Sequence, residues 1–235
     1  MKIQKITPCF LSIIFMSLLF TTASAQDSDE QNTSSKQEEK IEASSKVLKD
    51  FADMKENIPQ DLLKITQGII IVPKLINAGF VLAGKRGKGI AMVKLEDGTW
   101  SNPVFVTITG GSVGFQIGVQ AVDLVLIFKN RETLQNIGKG SFTLGGDISV
   151  TAGPVGRNST ASTDYKLEAE VYSYSRSKGL FAGISLGGSA IAVDAKANAA
   201  YYGNDDDAKT IFSDTDADES DAVKELKDTL KGMYE

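Results

Sequence analysis

Of the 22 glycines in this 235-residue chain, 20 lie between Gly68 and Gly188, threaded through β-branched and aromatic runs. That feature narrows the available folds more than any other. Glycine inside a flat strand costs about 0.5–1 kcal/mol relative to alanine. Where it recurs within strands it marks bulges, tight bends and close backbone approach. A strongly curved antiparallel sheet, or a partial barrel, makes use of all three.

The runs themselves read as strands. Ile69–Val72, Ile90–Leu95 and Val104–Ile108 are β-branched and apolar, with Asp97-Gly98 as a hairpin turn between the last two. Val113–Val119, Val122–Phe128, Phe142–Leu144, Ile148–Val150, the alternating stretch around Leu167–Val171, Leu180–Leu186 and Ala190–Val193 continue the sheet.

Helices flank this region. Ser35-Lys-Gln-Glu38 fits a capping box. Ile41, Val47, Leu48, Phe51, Met54 and Ile58 then recur at three-to-four spacing, which predicts an amphipathic helix over 36–57. Pro59 stops it and opens a short second helix over 59–67. Arg131–Ile137 predicts another short helix and 195–203 a helical turn. Asp218 or Ser220 caps a final helix reaching Met233, with Val223, Leu226 and Leu230 on one face. The expected fold class is α+β: N-terminal helices packed on a curved, glycine-rich antiparallel sheet or partial barrel, plus a C-terminal helix.

Residues 1–25 read as a secretory leader. Lys2 and Lys5 form a positive start, Phe10–Phe20 is an apolar run, and Ala23-Ser-Ala25 is a small-residue cleavage site. The run is too short for a membrane span, which takes about 20 residues. Cleavage near Ala25 would remove Cys9, the single cysteine, and leave a thiol-free exported chain, periplasmic or secreted. The expected organisation is a leader over 1–25, a polar disordered linker over 26–35, a domain over 36–203, and an acidic linker with a helix over 204–235.

Charge and residue types exclude several function classes. A sequence pI of about 5.0 argues against a nucleic-acid partner. The chain has no histidine, which removes the commonest general base and a common zinc ligand. No catalytic residue, metal or cofactor is therefore expected. Loss of Lys2 and Lys5 takes the formal charge from −5 to −7, and that surplus resides wholly in residues 204–221, leaving 26–203 neutral. Within the neutral body, Leu62–Leu95 carries Lys64, Lys74, Lys85, Arg86, Lys88 and Lys94 and no acid.

Several motifs fall short of their chemistry. Gly84-x-x-Gly87-x-Gly89 has the wrong spacing for a dinucleotide fingerprint, and Gly138-Lys-Gly-Ser141 lacks the order of a P-loop. Asp214-x-Asp216-x-Asp218 with Glu225 resembles a calcium loop. Its sixth position is Glu219, however, where glycine makes the sharp turn, so a solvated acidic linker is the better reading. Asn158-Ser-Thr160 is a glycosylation sequon, expected to carry no meaning in a periplasmic chain.

Four ordered blocks carry a family resemblance: Ile71–Phe80 (IVPKLINAGF), Gly84–Gly89 (GKRGKG), Gly110–Gly118 (GGSVGFQIG) and Tyr174–Gly183 (YSRSKGLFAG). Together they resemble a SYLF domain, over about residues 40–203. The resemblance implies a lipid-binding module; eukaryotic members recognise phosphoinositides and yeast members also bind actin. A secretory leader separates this chain from both ligands, so the transferable expectation is binding of anionic phospholipid. Two features of the residues agree. The Gly84–Gly89 segment reads as a basic glycine-rich turn able to reach phosphate oxygens. The amphipathic helix can lie at a headgroup surface. The expected headgroup ligands are Lys74, Lys85, Arg86 and Lys88, with Leu48 and Phe51 in membrane contact. Two other classes stay open. One is a cell-envelope structural or protein-interaction protein that docks a partner through its acidic tail. The other is a histidine-free hydrolase, whose serine nucleophile would lack the usual histidine base.

Overall fold

The computed structural model describes residues 23–54, 58–154, 168–214 and 219–234. Positions 1–22 of the expected leader lie outside the described residues, as do the Asn158 sequon and Asp216 and Asp218 of the acidic run.

Two long strands organise the molecule. β1 (Gly68–Val93) and β2 (Val104–Phe128) pair antiparallel from Gly68↔Phe128 to Ala91↔Val104. The Asp97-Gly98 turn joins them as the sequence predicts, with Gly98 at φ +87 and Leu95 N–H donating to Thr99 O at 2.8 Å. The strand segments expected on either side of Gly79–Gly89 and of Gly110–Gly118 merge into single strands. A straight 26-residue strand would run roughly 85 Å, yet the two ends of β1 meet, with Lys94 N–H donating to Gln67 O at 2.9 Å. The strand doubles back near Gly79–Val81, where its register against β2 shifts.

Glycine makes the fold-back possible. A Cβ on Gly87 would lie 2.6 Å from Val72 Cγ1, and one on Gly89 would overlap the Ile71 carbonyl oxygen. A second register shift falls between Val72 and Leu75. There Pro73 and Lys74 stand opposite Asp123 as a bulge, a place where a strand tolerates proline's missing N–H. Lys74 takes φ +57.

The outer edge of β2 carries the remaining strands. Its first half pairs with β7 (Ser189–Val193), which pairs with β3 (Ser141–Leu144). Its second half pairs with β5 (Val171–Ser177), which is flanked by β4 (Val150–Ala152) and β6 (Leu180–Phe181). The β4–β5 pair is parallel, so the sheet is mixed rather than wholly antiparallel. The long connection over 153–170 permits that crossover, which a tight hairpin could not.

Alternation along the strands divides the core in two. Ile69, Ile71, Ile90, Met92, Phe105, Val125 and Ile127 lie with residues of α1 (Ala23–Ala52), α4 (Ala195–Tyr202) and α6 (Asp221–Tyr234). Ile70, Val72, Val93, Val106, Leu124, Leu126 and Phe128 lie on the other face, with residues of β3, α3 (Arg131–Gln135) and α5 (Ala208–Ser213). Burial on both faces explains why these strands read as continuous apolar runs.

Helix boundaries depart from expectation at two places. α1 begins at Ala23, well before the capping box, because no glycine or proline interrupts 23–58. α5 arises inside the acidic stretch, where Asp207 accepts the Thr210 N–H at 2.8 Å and Ile211 and Phe212 are buried. The remaining helices follow the sequence. α2 (Gln60–Lys64) starts after Pro59, and Ser220 Oγ accepts the Val223 N–H at 3.3 Å at the start of α6.

Candidate functional site

The Gly84–Gly89 segment is the interior of β1, not a turn, and this changes what its cations do. Successive side chains leave opposite faces of a strand. Lys85 therefore points inward: it is 4% exposed, and its Nζ donates to the Ser185 carbonyl. Burial lowers its pKa. Its position corrects the expected headgroup role, since Lys85 ties β1 to the segment leading into β7. Leu48 and Phe51 likewise belong to the core rather than a lipid surface. Both are fully buried, and the Phe51 ring lies 5.9 Å from that of Phe181. The apolar face of α1 is consumed by the sheet beneath it.

The other three expected cations share one face. Arg86 and Lys88 keep the alternation of Ile90 and Met92, so they leave on the side covered by α1. The bulge at Pro73–Lys74 resets the alternation and places Lys74 on that side too. Lys40 of α1 joins them, a residue the sequence did not single out. Burial lowers its pKa, and the positive charges of Lys74 and Lys88 lower it further against the pull of Glu39. Lys88 Nζ meets Asp194 Oδ2 at 2.7 Å, while Asp194 also caps α4 through the Ala197 N–H. Lys74 and Arg86 are exposed, and among the described residues neither has an ion-pair partner.

Beside this patch lies a polar lock. Arg176 of β5 donates to Asp50 of α1 at 2.6 Å and to Asp123 of β2 at 2.7 Å, with its guanidinium over the Phe51 ring. Burial alone would raise the Asp50 pKa. Hydrogen bonds from Lys46 and Arg176 overcome that and hold the carboxyl below its ordinary range. Asp123 also accepts the Lys74 N–H at 3.2 Å, so the bulge, two strands and α1 are fixed together. No local pattern marks this set, because its members lie 53 and 126 residues apart.

Past the bulge the ladder loses its cover. Ile76 is 40% exposed and Val119 is 76% exposed. The β5–β6 turn ends at the same level, where Ser177 Oγ donates to Ala121 O and Ala121 pairs with Ile76. Leu180, which opens β6 after that turn, is 73% exposed, and Lys178 in the turn takes φ +52. No helix of the described residues is long and apolar enough to cross a membrane. The arrangement offers cations and exposed apolar side chains at one end of a rigid ladder, a combination suited to an anionic, partly apolar surface.

Comparison with known proteins supplies the family. The family model described as "Ysc84: Las17-binding protein actin regulator" matches residues 109–233, from the bend of β2 through α6. LAS seventeen-binding protein 3 of Saccharomyces cerevisiae is 40% identical over 159 residues, covering 66% of this chain and 34% of the yeast protein. SH3 domain-containing YSC84-like protein 1 of Xenopus laevis is 35% identical over 203 residues, covering 81% of this chain and 59% of the frog protein. The Homo sapiens protein of the same name is 34% identical over 199 residues, covering 81% of this chain and 58% of its own length. This chain thus spans between about one third and three fifths of these relatives. They are named for binding a protein and for an SH3 domain, not for catalysis. The four glycine-rich blocks, the curved sheet with its helices, and the match over more than half of the sequence lead to one conclusion: this chain belongs to the Ysc84 family, the family of the SYLF domain.

Proposed function

We propose that this chain is an exported, periplasmic lipid-binding module that docks on anionic phospholipid through Lys74, Arg86 and Lys88, joined by Lys40. The observation that carries this reading is the convergence of four cations from α1 and β1 on one face, with Lys74 and Arg86 exposed. Such a set is electrostatically unfavourable alone and favourable beside phosphates. Each cation near an anionic surface contributes about 1 kcal/mol, so the group supports weak, salt-sensitive docking. Reversing two exposed charges, Lys74→Glu with Arg86→Glu, leaves the Lys85 and Lys88 contacts intact. The double variant is expected to lose co-sedimentation with phosphatidylglycerol vesicles at low salt while unfolding as the wild type does. Undiminished co-sedimentation would reject the reading.

A protein-binding role is the second reading, supported by the names of the yeast relatives. A cleft of about 760 Å³ between the Asp97–Ser101 turn and α6, lined by both signs of charge, is the surface that suits it. Because α5 and α6 contribute Phe212, Leu226 and Leu230 to the core, removing 204–235 would unfold the chain. Charge reversal at the exposed Lys224 and Asp228 is the appropriate probe, and it should weaken partner binding without affecting vesicle binding.

A further inference from the structure

The distal end of the β1–β2 ladder is free of charge. Leu75–Gly84 and Gly110–Val122 hold no Asp, Glu, Lys or Arg, and the backbone register sets them side by side. Strand pairing continues through this end, with Val81 opposite Gly114 and Leu82 opposite Val113. It therefore projects as an ordered ladder rather than a loose loop. Three of the four large apolar side chains found exposed among the described residues are here: Ile76 and Val119 on the ladder and Leu180 just after the β5–β6 turn at the same level. Cations bound the charge-free end: Lys74 and Arg86 along β1, and Lys178 in the turn.

We infer that this end is an insertion wedge: it enters the headgroup and upper acyl region of an anionic bilayer tip-first, while the cationic collar meets the phosphates. The inference rests on the lipid-docking reading above and assigns its apolar contact to Ile76, Val119 and Leu180, in place of Leu48 and Phe51, which the core holds. The occupant follows from charge complementarity. An apolar tip with cations on its β1 side and in the β5–β6 turn matches the sequence of layers met on approaching an anionic membrane, phosphate outside and hydrocarbon within. Interfacial elements bury to a depth of about 5–10 Å, and the ladder beyond Leu75 is long enough for that at about 3.3 Å per residue. A paired ladder also satisfies its own backbone polar groups along the shared edge, which lowers the cost of entering the interface.

The test places an environment-sensitive fluorophore at position 119 in a Cys9→Ser/Val119→Cys chain and mixes it with phosphatidylglycerol-containing vesicles. The expected result is a blue shift and quenching by lipids brominated near the headgroup, with neither seen for the same label at Glu132. In parallel, Ile76→Ser/Val119→Ser/Leu180→Ser should weaken vesicle flotation about tenfold at physiological salt and keep the wild-type melting temperature. If the wild type floats while the label stays in water and the triple variant floats equally well, the wedge is refuted and the electrostatic reading stands. If the wild type does not float, both fall. If the label shifts only on concentration-dependent dimerisation without vesicles, the end is a self-association surface and the wedge is refuted.

Discussion

The same two strands have different surroundings at their two ends. Near Ile69–Val72 and Ile90–Val93, every side chain meets apolar cover, with helices on one face and α3, α5 and β3 on the other. Past the bulge at Lys74 the ladder keeps its backbone pairing and loses its cover. The comparison separates two uses of glycine. At Gly87 it makes room for the Val72 and Leu75 side chains and at Gly89 for the Ile71 backbone, while at Gly84 nothing lies within 4 Å of where a Cβ would be. The proximal end holds the fold together, and the distal end keeps Ile76 and Val119 exposed.

The sharpest break in this contrast is a pair of truncations. Phe51→Ala should destabilise by about 3–5 kcal/mol through a core cavity, whereas Val119→Ala should stay within about 0.5 kcal/mol. Denaturant unfolding of both variants checks it, and similar losses would erase the distinction. Glycine gives the next pair. Gly89→Ala should cost about 2–3 kcal/mol, because the Ile71 backbone cannot yield as a side chain would. Gly84→Ala should be neutral or stabilise by about 0.5 kcal/mol through the unfolded chain. Thermal melts of the two alanine variants give the comparison directly.

The lock at the boundary comes third. Arg176→Met leaves Asp50 and Asp123 without their shared partner and should cost about 2–3 kcal/mol, less than a fully buried pair because both carboxylates reach solvent. The smallest effect is its pH signature. The folded-state pKa of Asp50 is depressed below 3.8, so its contribution is present above about pH 4 and is lost as pH falls through the depressed value. The wild type should therefore lose stability over that acid range more steeply than Asp50→Asn. Parallel acid dependences for the two proteins would remove Asp50 from the account.

The proximal end was legible from the residues alone. Its β-branched runs, the Asp97-Gly98 turn and the spacing of Val223, Leu226 and Leu230 are local signals, and the structure follows them. Other parts were not. Gly84–Gly89 reads as a turn because glycine and lysine are turn and surface residues, and only pairing with Val106–Gly111 makes it a strand and turns Lys85 inward. The amphipathic face of α1 reads identically whether it meets a sheet or a bilayer, so Leu48 and Phe51 could not be assigned from periodicity. α5 was hidden by its acidic neighbours, and Arg176 by the sequence distance to its partners. Lys74, Arg86 and Lys88 stand out in the sequence only as part of the acid-free run Leu62–Leu95. Their grouping with Lys40 on one face required the bulge at Pro73.

The proposed docking requires the cations beside the charge-free distal end to meet anionic lipid. Its most direct test is flotation of the wild-type protein with phosphatidylcholine vesicles, with and without phosphatidylglycerol, across a salt series. The account predicts flotation only with the anionic lipid at low salt, falling steadily as salt approaches about 0.5 M, where the screening length shrinks to a few ångströms. Flotation that is indifferent to lipid charge and salt, or none at all with the anionic vesicles in dilute buffer, would contradict it.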